Sequence, residues 1–138
     1  MIEVTCAIIL LDEKILVTQR SEKMSLPLKW EFPGGKIEQN ETARNCIIRE
    51  IKEELNIEIE LIQRLNDNTY NYKDYTITLI PFIANFKSGD ILLNEHKDFK
   101  WLEREELLPL DWAPADIAVV ENFLKEDYGQ IRSLRTTD

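Results

Sequence analysis

Three glutamates, Glu50, Glu53 and Glu54, stand within five residues of one another, in a segment whose apolar residues recur at helical spacing. At 100° per residue they fall within about 100° of one another on one side of a helix. Like charges at i,i+3 and i,i+4 oppose the helix by about 0.2–0.5 kcal/mol per pair. A solvated acidic face is the plainest reading of such a cluster. Here, however, the acidic arc borders the apolar stripe of Ala43, Ile47, Ile51 and Leu55, with Ile48 beside it, so the carboxylates stand at the edge of a core. Arg49 immediately precedes Glu50, and Glu41 lies nine residues before it. Carboxylates crowded at a core edge repel unless a cation lies between them. Hard divalent cations take oxygen ligands, and Mg²⁺ binds through a few carboxylates while keeping waters and phosphate oxygens. Such a cation polarises a phosphoryl oxygen and acidifies a bound water. A spare carboxylate accepts the proton of that water. Gly34-Gly35 reads either as a turn or as a place where missing side chains let a backbone carbonyl approach a metal, or N–H groups approach a phosphate.

The elements that must position these groups follow from periodicity. Residues 42–55 are predicted as the first helix and 115–127 as the second, with Pro114 at its start and Ile117, Val120 and Leu124 on one face. Strands are predicted over 2–11, 14–20, 57–65, 69–73, 75–86 and 99–102. Residues 21–29 read as a loop, and Trp30-Glu31-Phe32-Pro33-Gly34-Gly35 as an extended piece entering a sharp turn. Strands, a helix, more strands and a closing helix predict an α+β domain with helices covering a mixed sheet.

Length and composition bound the rest. The 138 residues fit one domain, taken as 1–128, followed by a polar tail at 129–138 that is expected to fray. With 17 basic and 26 acidic residues the net charge is −9, which argues against a grip on a nucleic-acid polymer. No apolar run approaches the ~18–20 residues of a membrane span. The N-terminus shows no basic region or cleavage site of a secretory signal. Cys6 and Cys46 lie far apart and form no CxxC, which disfavours a disulfide framework or zinc cage. His96 is the single histidine, so a multi-His metal site is impossible and a Ser-His-Asp triad improbable. A reduced, cytoplasmic protein is expected. An anionic small molecule remains compatible with the charge if a metal ion mediates the contact.

From Gly35 to Ile57 the chain resembles the Nudix box, G-x5-E-x7-R-E-U-x-E-E-x-G-U, where U is a bulky aliphatic residue. The corresponding residues are Gly35, Glu41, Arg49, Glu50, Ile51, Glu53, Glu54, Asn56 and Ile57. The single departure is Asn56 in place of glycine; Asn tolerates the left-handed conformation that ends the helix best after Gly. The resemblance implies a mixed β-sheet sandwiched between helices and a hydrolase of nucleoside diphosphate derivatives that uses Mg²⁺ or Mn²⁺. It implies Glu50, Glu53, Glu54 and the backbone carbonyl of Gly34 as metal ligands. Arg49 would orient the glutamates, and Glu41 would hold the box loop by pairing with Arg49.

The likeness extends further. Trp30 to Glu38 resembles the MutT branch, the nucleotide-pool sanitising enzymes, and Glu95, six residues before Trp101, matches a glutamate that joins the metal site there as ligand or base. Ala113-Pro114-Ala115-Asp116-Ile117 is similar to the element that reads the base, with Asp116 closer to the CTP pyrophosphohydrolase pattern. Arg20 and Phe32 fall at positions that line the nucleotide pocket. The resemblance thus implies a triphosphate pyrophosphohydrolase acting on oxidised or modified nucleotides, as monomer or homodimer. The alternatives are another Nudix substrate, such as ADP-ribose or a dinucleoside polyphosphate, or a non-catalytic ligand sensor.

Overall fold

A computed structural model describes residues 1–126. The elements in chain order are β1 (Ile2–Leu11), β2 (Lys14–Gln19), β3 (Trp30–Glu31), β4 (Gly34–Lys36), α1 (Ala43–Leu55), β5 (Glu58–Arg64), β6 (Asn68–Asn71), β7 (Thr76–Ser88), β8 (Asp98–Leu102) and α2 (Pro114–Leu124). A 3-10 turn at Arg104–Glu106 adds an element the sequence reading lacks. The expected tail at 129–138 lies outside the described residues, as does Asp127, the last residue of the predicted second helix.

Among the described residues all eight strands join one mixed sheet whose main path runs β3-β2-β1-β7-β5, with β4 on β1, β6 on β7 and β8 on β2. The long apolar run of β1 has a structural cause. This strand is central, runs parallel to β7, and is covered on both faces. Its alternate residues part accordingly. Cys6, Ile8 and Leu10 pack with Val119, Val120 and Phe123 of α2. Ala7 and Ile9 pack with Ile47, Ile51 and Leu55 of α1. One sheet therefore separates two cores, each closed by a helix, in an α+β fold. None of the described helices is long and apolar enough to cross a membrane.

Three sequence expectations need correction. Gly34 and Gly35 lie in a strand, not a turn: Gly34 pairs with Cys6 and Gly35 with Thr5 across β1 and β4. Ile48 is exposed, because the face of α1 that meets the sheet runs through Cys46, Ile47, Ile51 and Leu55. In α2 the inward face is Ala115, Asp116, Val119, Val120 and Phe123, while Ile117 is exposed. The predicted stripe is rotated because the docking of the segment before α2 beside β3 turns Ala115 and Asp116, and not Ile117, toward the sheet.

Candidate active site

The sheet supplies the opening. One edge of β1 is shared between β2 at its C-terminal end and β4 toward its start. The chain crosses from the edge of β2 to that of β1 through Phe32-Pro33, with Pro33 O accepting from Ala7 N at 2.9 Å. A cavity of about 570 Å³ opens at this crossing and is lined by Arg20, Glu31, Phe32, Gly34, Glu54 and Asp116, among others.

At one end the box forms a loop and a helix. Thr42 caps α1 by accepting from Asn45 N at 3.1 Å. Asn56 ends it at φ 62°, ψ 31°, donating its backbone N–H to Lys52 O and its side-chain amide to Asp90 O. The expectation that Asn takes the place of the usual glycine is thus met in the left-handed region, at modest cost. Arg49 organises the acids. Its Nε donates to Glu41 Oε2 at 2.6 Å and its Nη2 to Glu41 Oε1 at 2.9 Å, a two-pronged pair. Its Nη1 donates to Glu50 Oε1 at 2.8 Å and to Glu53 Oε2 at 3.1 Å. Glu41 also accepts from Glu38 N. The Arg49 hydrogen bonds, more than any other cause, hold the Glu41 carboxyl down at about 2. The same bonds push the Arg49 guanidinium well above its ordinary range.

The two glycines are required by packing. A Cβ on Gly34 would stand 2.7 Å from Cys6 Cα and against the Thr5 carbonyl. A Cβ on Gly35 would stand 2.7 Å from Glu50 Oε1 and closer still to the rest of that carboxylate. Gly35 thus lets Glu50 lie directly on the strand.

Glu54 faces the cavity, unlike Glu53, whose exposed carboxylate is turned to Arg49. Burial, and then the charge of Glu50, a hydrogen bond with Glu50, and the charges of Glu31 and Glu95, raise Glu54 to about 8. Glu95 is exposed in the loop before β8. Among the described residues no three His, Cys, Asp or Glu side chains converge in metal-holding geometry. The donor set nonetheless suits a hard dication: it offers oxygen ligands, and a cation among these carboxylates would relieve the repulsion that raises Glu54.

Phe32, also on the cavity wall, packs on Trp112 with ring centroids 4.8 Å apart. The segment before α2 is pinned beside β3 by Trp30 N donating to Asp111 O at 2.9 Å and Ala113 N to Trp30 O at 2.8 Å. This docking brings Asp116 into the interior, 5% exposed, where its Oδ2 accepts from Phe32 N at 2.9 Å. Burial, and then the charge of Glu31, raise its carboxyl well above the usual range. A neutral carboxyl both donates and accepts. Arg20 reaches the same wall, with Nη1 donating to Glu31 Oε1 at 2.8 Å.

The structure therefore gathers Arg20, Phe32, Gly34, Gly35, Glu54 and Asp116 around one cavity. It places Glu50 against Gly35 and binds Glu41, Glu50 and Glu53 to Arg49. Two participants were missed in the sequence. Glu31 stands in the Trp30 to Glu38 run, where its residue type and spacing assign it no role. His96 was weighed only as a metal or triad histidine, yet its buried ring lies 2.8 Å from Glu31 and 3.3 Å from Glu54. Its one available signal was adjacency to Glu95.

A family model described as "NUDIX domain" matches residues 1–123. The chain is 36% identical over 124 residues to the CTP pyrophosphohydrolase of Escherichia coli, covering 90% of this chain and 92% of that one. It is 29% identical over 109 residues to the 8-oxo-dGTP diphosphatase of the same organism, covering 79% and 84% respectively. A solution structure of a MutT protein of the Nudix hydrolase family, from methicillin-resistant Staphylococcus aureus, superposes with a TM-score of 0.74 at 44% identity, covering 91% of this chain and 97% of that one.

Proposed function

The chain belongs to the Nudix hydrolase family, and on that premise we propose that it hydrolyses nucleoside triphosphates to the monophosphate and pyrophosphate, with oxidised or modified nucleotides as preferred substrates. The observation that carries this reading is one cavity whose lining includes both Glu54 and Gly34 and Phe32 and Asp116. A triphosphate chain then lies toward the glutamates while the base meets the buried carboxyl.

Glu50, Glu53, Glu54, Glu95 and the Gly34 carbonyl are the groups that would hold Mg²⁺ or Mn²⁺. When bound, the cation supplies charge neutralisation on phosphoryl oxygens and a more acidic water. Arg49 keeps Glu50 and Glu53 in one orientation, and Glu41 keeps Arg49 in place. Whichever of the box glutamates and Glu95 is not engaged by the cation would accept the proton of the attacking water; Glu95 is an exposed carboxylate whose charge reaches Glu54. Cleavage of the bridge between the first and second phosphates releases pyrophosphate. Asp116, whose carboxyl is raised well above the usual range by burial and then by the charge of Glu31, can donate a hydrogen bond as well as accept one when it carries its proton, which suits a base edge with an adjacent acceptor and donor. The names of the two E. coli relatives, one a CTP enzyme and one an 8-oxo-dGTP enzyme, agree with a base end of this kind.

The test is hydrolysis with Mg²⁺ of dGTP, 8-oxo-dGTP, dCTP, 5-methyl-dCTP, CTP, ADP-ribose and diadenosine tetraphosphate, followed by separating the nucleotide products, with pyrophosphate release measured for the triphosphates. A triphosphate preferred over the last two compounds, with turnover abolished in Glu53→Gln, is the expected result. Turnover of only the diphosphate-linked compounds assigns another Nudix substrate. Silence across the panel with Mg²⁺ and Mn²⁺ refutes the reading and favours a ligand sensor.

A further inference from the structure

His96 is the chain's single histidine, and its side chain is 1% exposed. Its backbone is pinned on both sides. Asn94 N donates to Glu54 O at 3.1 Å, and Lys97 N donates to Gln19 O at 2.9 Å, so the loop is strung between α1 and β2. The ring faces two carboxylates that line the cavity. Nε2 lies 2.8 Å from Glu31 Oε2, and Nδ1 lies 3.3 Å from Glu54 Oε2. The second contact lacks hydrogen-bond alignment, so Nδ1 is a buried polar atom beside Glu54 with no hydrogen-bond partner among the described residues. Glu31 continues the chain: its other oxygen accepts from Arg20 Nη1 at 2.8 Å, and Arg20 is anchored by Nε on Ser25 O at 2.6 Å. Four segments remote in sequence are thereby joined through one imidazole.

We propose that His96 is a positioning residue that ties Glu54, in the cation-holding group, to Glu31 and Arg20 of the nucleotide end, so that both ends of the cavity share one geometry. Glutamates that hold a metal need their orientation set from behind, and loss of such a partner typically weakens metal binding or activity about 10–100-fold. An imidazole suits the position because its two nitrogens point to different edges of the ring. A burial role alone would not need a polar ring between two acids.

The inference rests on the proposed function. Its test therefore reads Mn²⁺ binding directly, by paramagnetic resonance of the free ion without nucleotide, and reads kcat and KM separately. In His96→Gln the amide nitrogen reaches the place of Nε2 and keeps the Glu31 contact. In His96→Asn it reaches the place of Nδ1 and keeps the Glu54 contact. The expected result is a split. His96→Gln raises the Mn²⁺ dissociation constant by about 10-fold with KM close to wild type. His96→Asn keeps Mn²⁺ binding and raises KM. Equal losses in both variants, or none in either, overturn the proposal, because a merely structural histidine would lower the melting temperature without that division. In the double variant His96→Gln, Glu31→Gln, the Glu31 change is expected to add nothing to the Mn²⁺ loss; additive losses overturn the proposal as well. If the histidine variants do not fold, Glu31→Gln decides alone: a raised KM with Mn²⁺ binding close to wild type supports the proposal, and weaker Mn²⁺ binding or an unchanged KM overturns it. A wild-type protein that neither binds Mn²⁺ nor releases pyrophosphate refutes the proposed function and this inference with it. An active wild type with unsplit variants refutes this inference only.

Discussion

Gly34 and Gly35 are adjacent in one short strand, yet the same substitution is expected to fail at each for a different reason. An added Cβ at Gly35 lies 2.7 Å from Glu50 Oε1, where ordinary contact begins at 3.4 Å. The obstacle is the end of a flexible side chain, so Glu50 can retreat by roughly 1 Å at little cost in stability; a misplacement of that size in a reacting group lowers turnover on the order of 10²-fold. At Gly34 the obstacles are Cys6 Cα and the Thr5 backbone. They belong to the central strand and cannot step aside, so overpacking there costs about 1–3 kcal/mol or more. Pyrophosphate release and thermal unfolding of Gly35→Ala and Gly34→Ala separate the two. Gly35→Ala should melt near wild type and be nearly inactive, whereas Gly34→Ala should melt lower. An active Gly35→Ala would refute the view that this glycine exists to seat Glu50. A Gly34→Ala as stable as wild type would refute the claim that β4 has no slack against β1.

The remaining predictions concern charge and capping. The Arg49 pair holds Glu41 at about 2 against an ordinary 4.5, so the stability it contributes is complete above about pH 4.5 and is lost as the pH falls toward 2. Acid titration of Glu41→Gln, followed by circular dichroism, should show a flatter limb over that interval and a lower melting temperature at neutral pH. Glu54, raised to about 8, must lose its proton before it can bind a cation. Calorimetric Mg²⁺ affinity should therefore rise between pH 6 and 8, and Glu54→Gln should abolish most of that rise. Asn56 sits at φ 62°. Asn56→Ala should cost about 1–2 kcal/mol in urea unfolding, and Asn56→Gly should cost much less.

Much of the site was legible before any fold was known, because a helix imposes its own geometry. Spacing alone put Glu50, Glu53 and Glu54 on one face, beside the apolar stripe that α1 buries. The pairing of Glu41 with Arg49 was expected from resemblance, and the Arg49 guanidinium does grip Glu41 with two bonds. The apolar run at the start of the chain reads as a strand over 2–11, and β1 spans that range. What periodicity could not supply was any contact set by long-range docking. Gly34-Gly35 looked like a turn because glycine pairs often are turns; tight packing against β1 made them a strand. Resemblance assigns Asp116 to the nucleotide pocket, and it does line the cavity, but helical spacing alone does not show that the inward face of α2 runs through Ala115 and Asp116 and leaves Ile117 exposed.

Sequence by itself determined the parts whose geometry is local: the helix carrying the acids, the left-handed cap at Asn56, and the alternation that divides β1 between two cores. Tertiary structure decided what those parts meet. The bridge between Trp30 and Trp112 delivers Asp116 to the amide of Phe32, 84 residues away. The loop strung between α1 and β2 places His96 between Glu31 and Glu54. Such pairings depend on how a sheet closes over two helices, and no spacing along the chain encodes that distance.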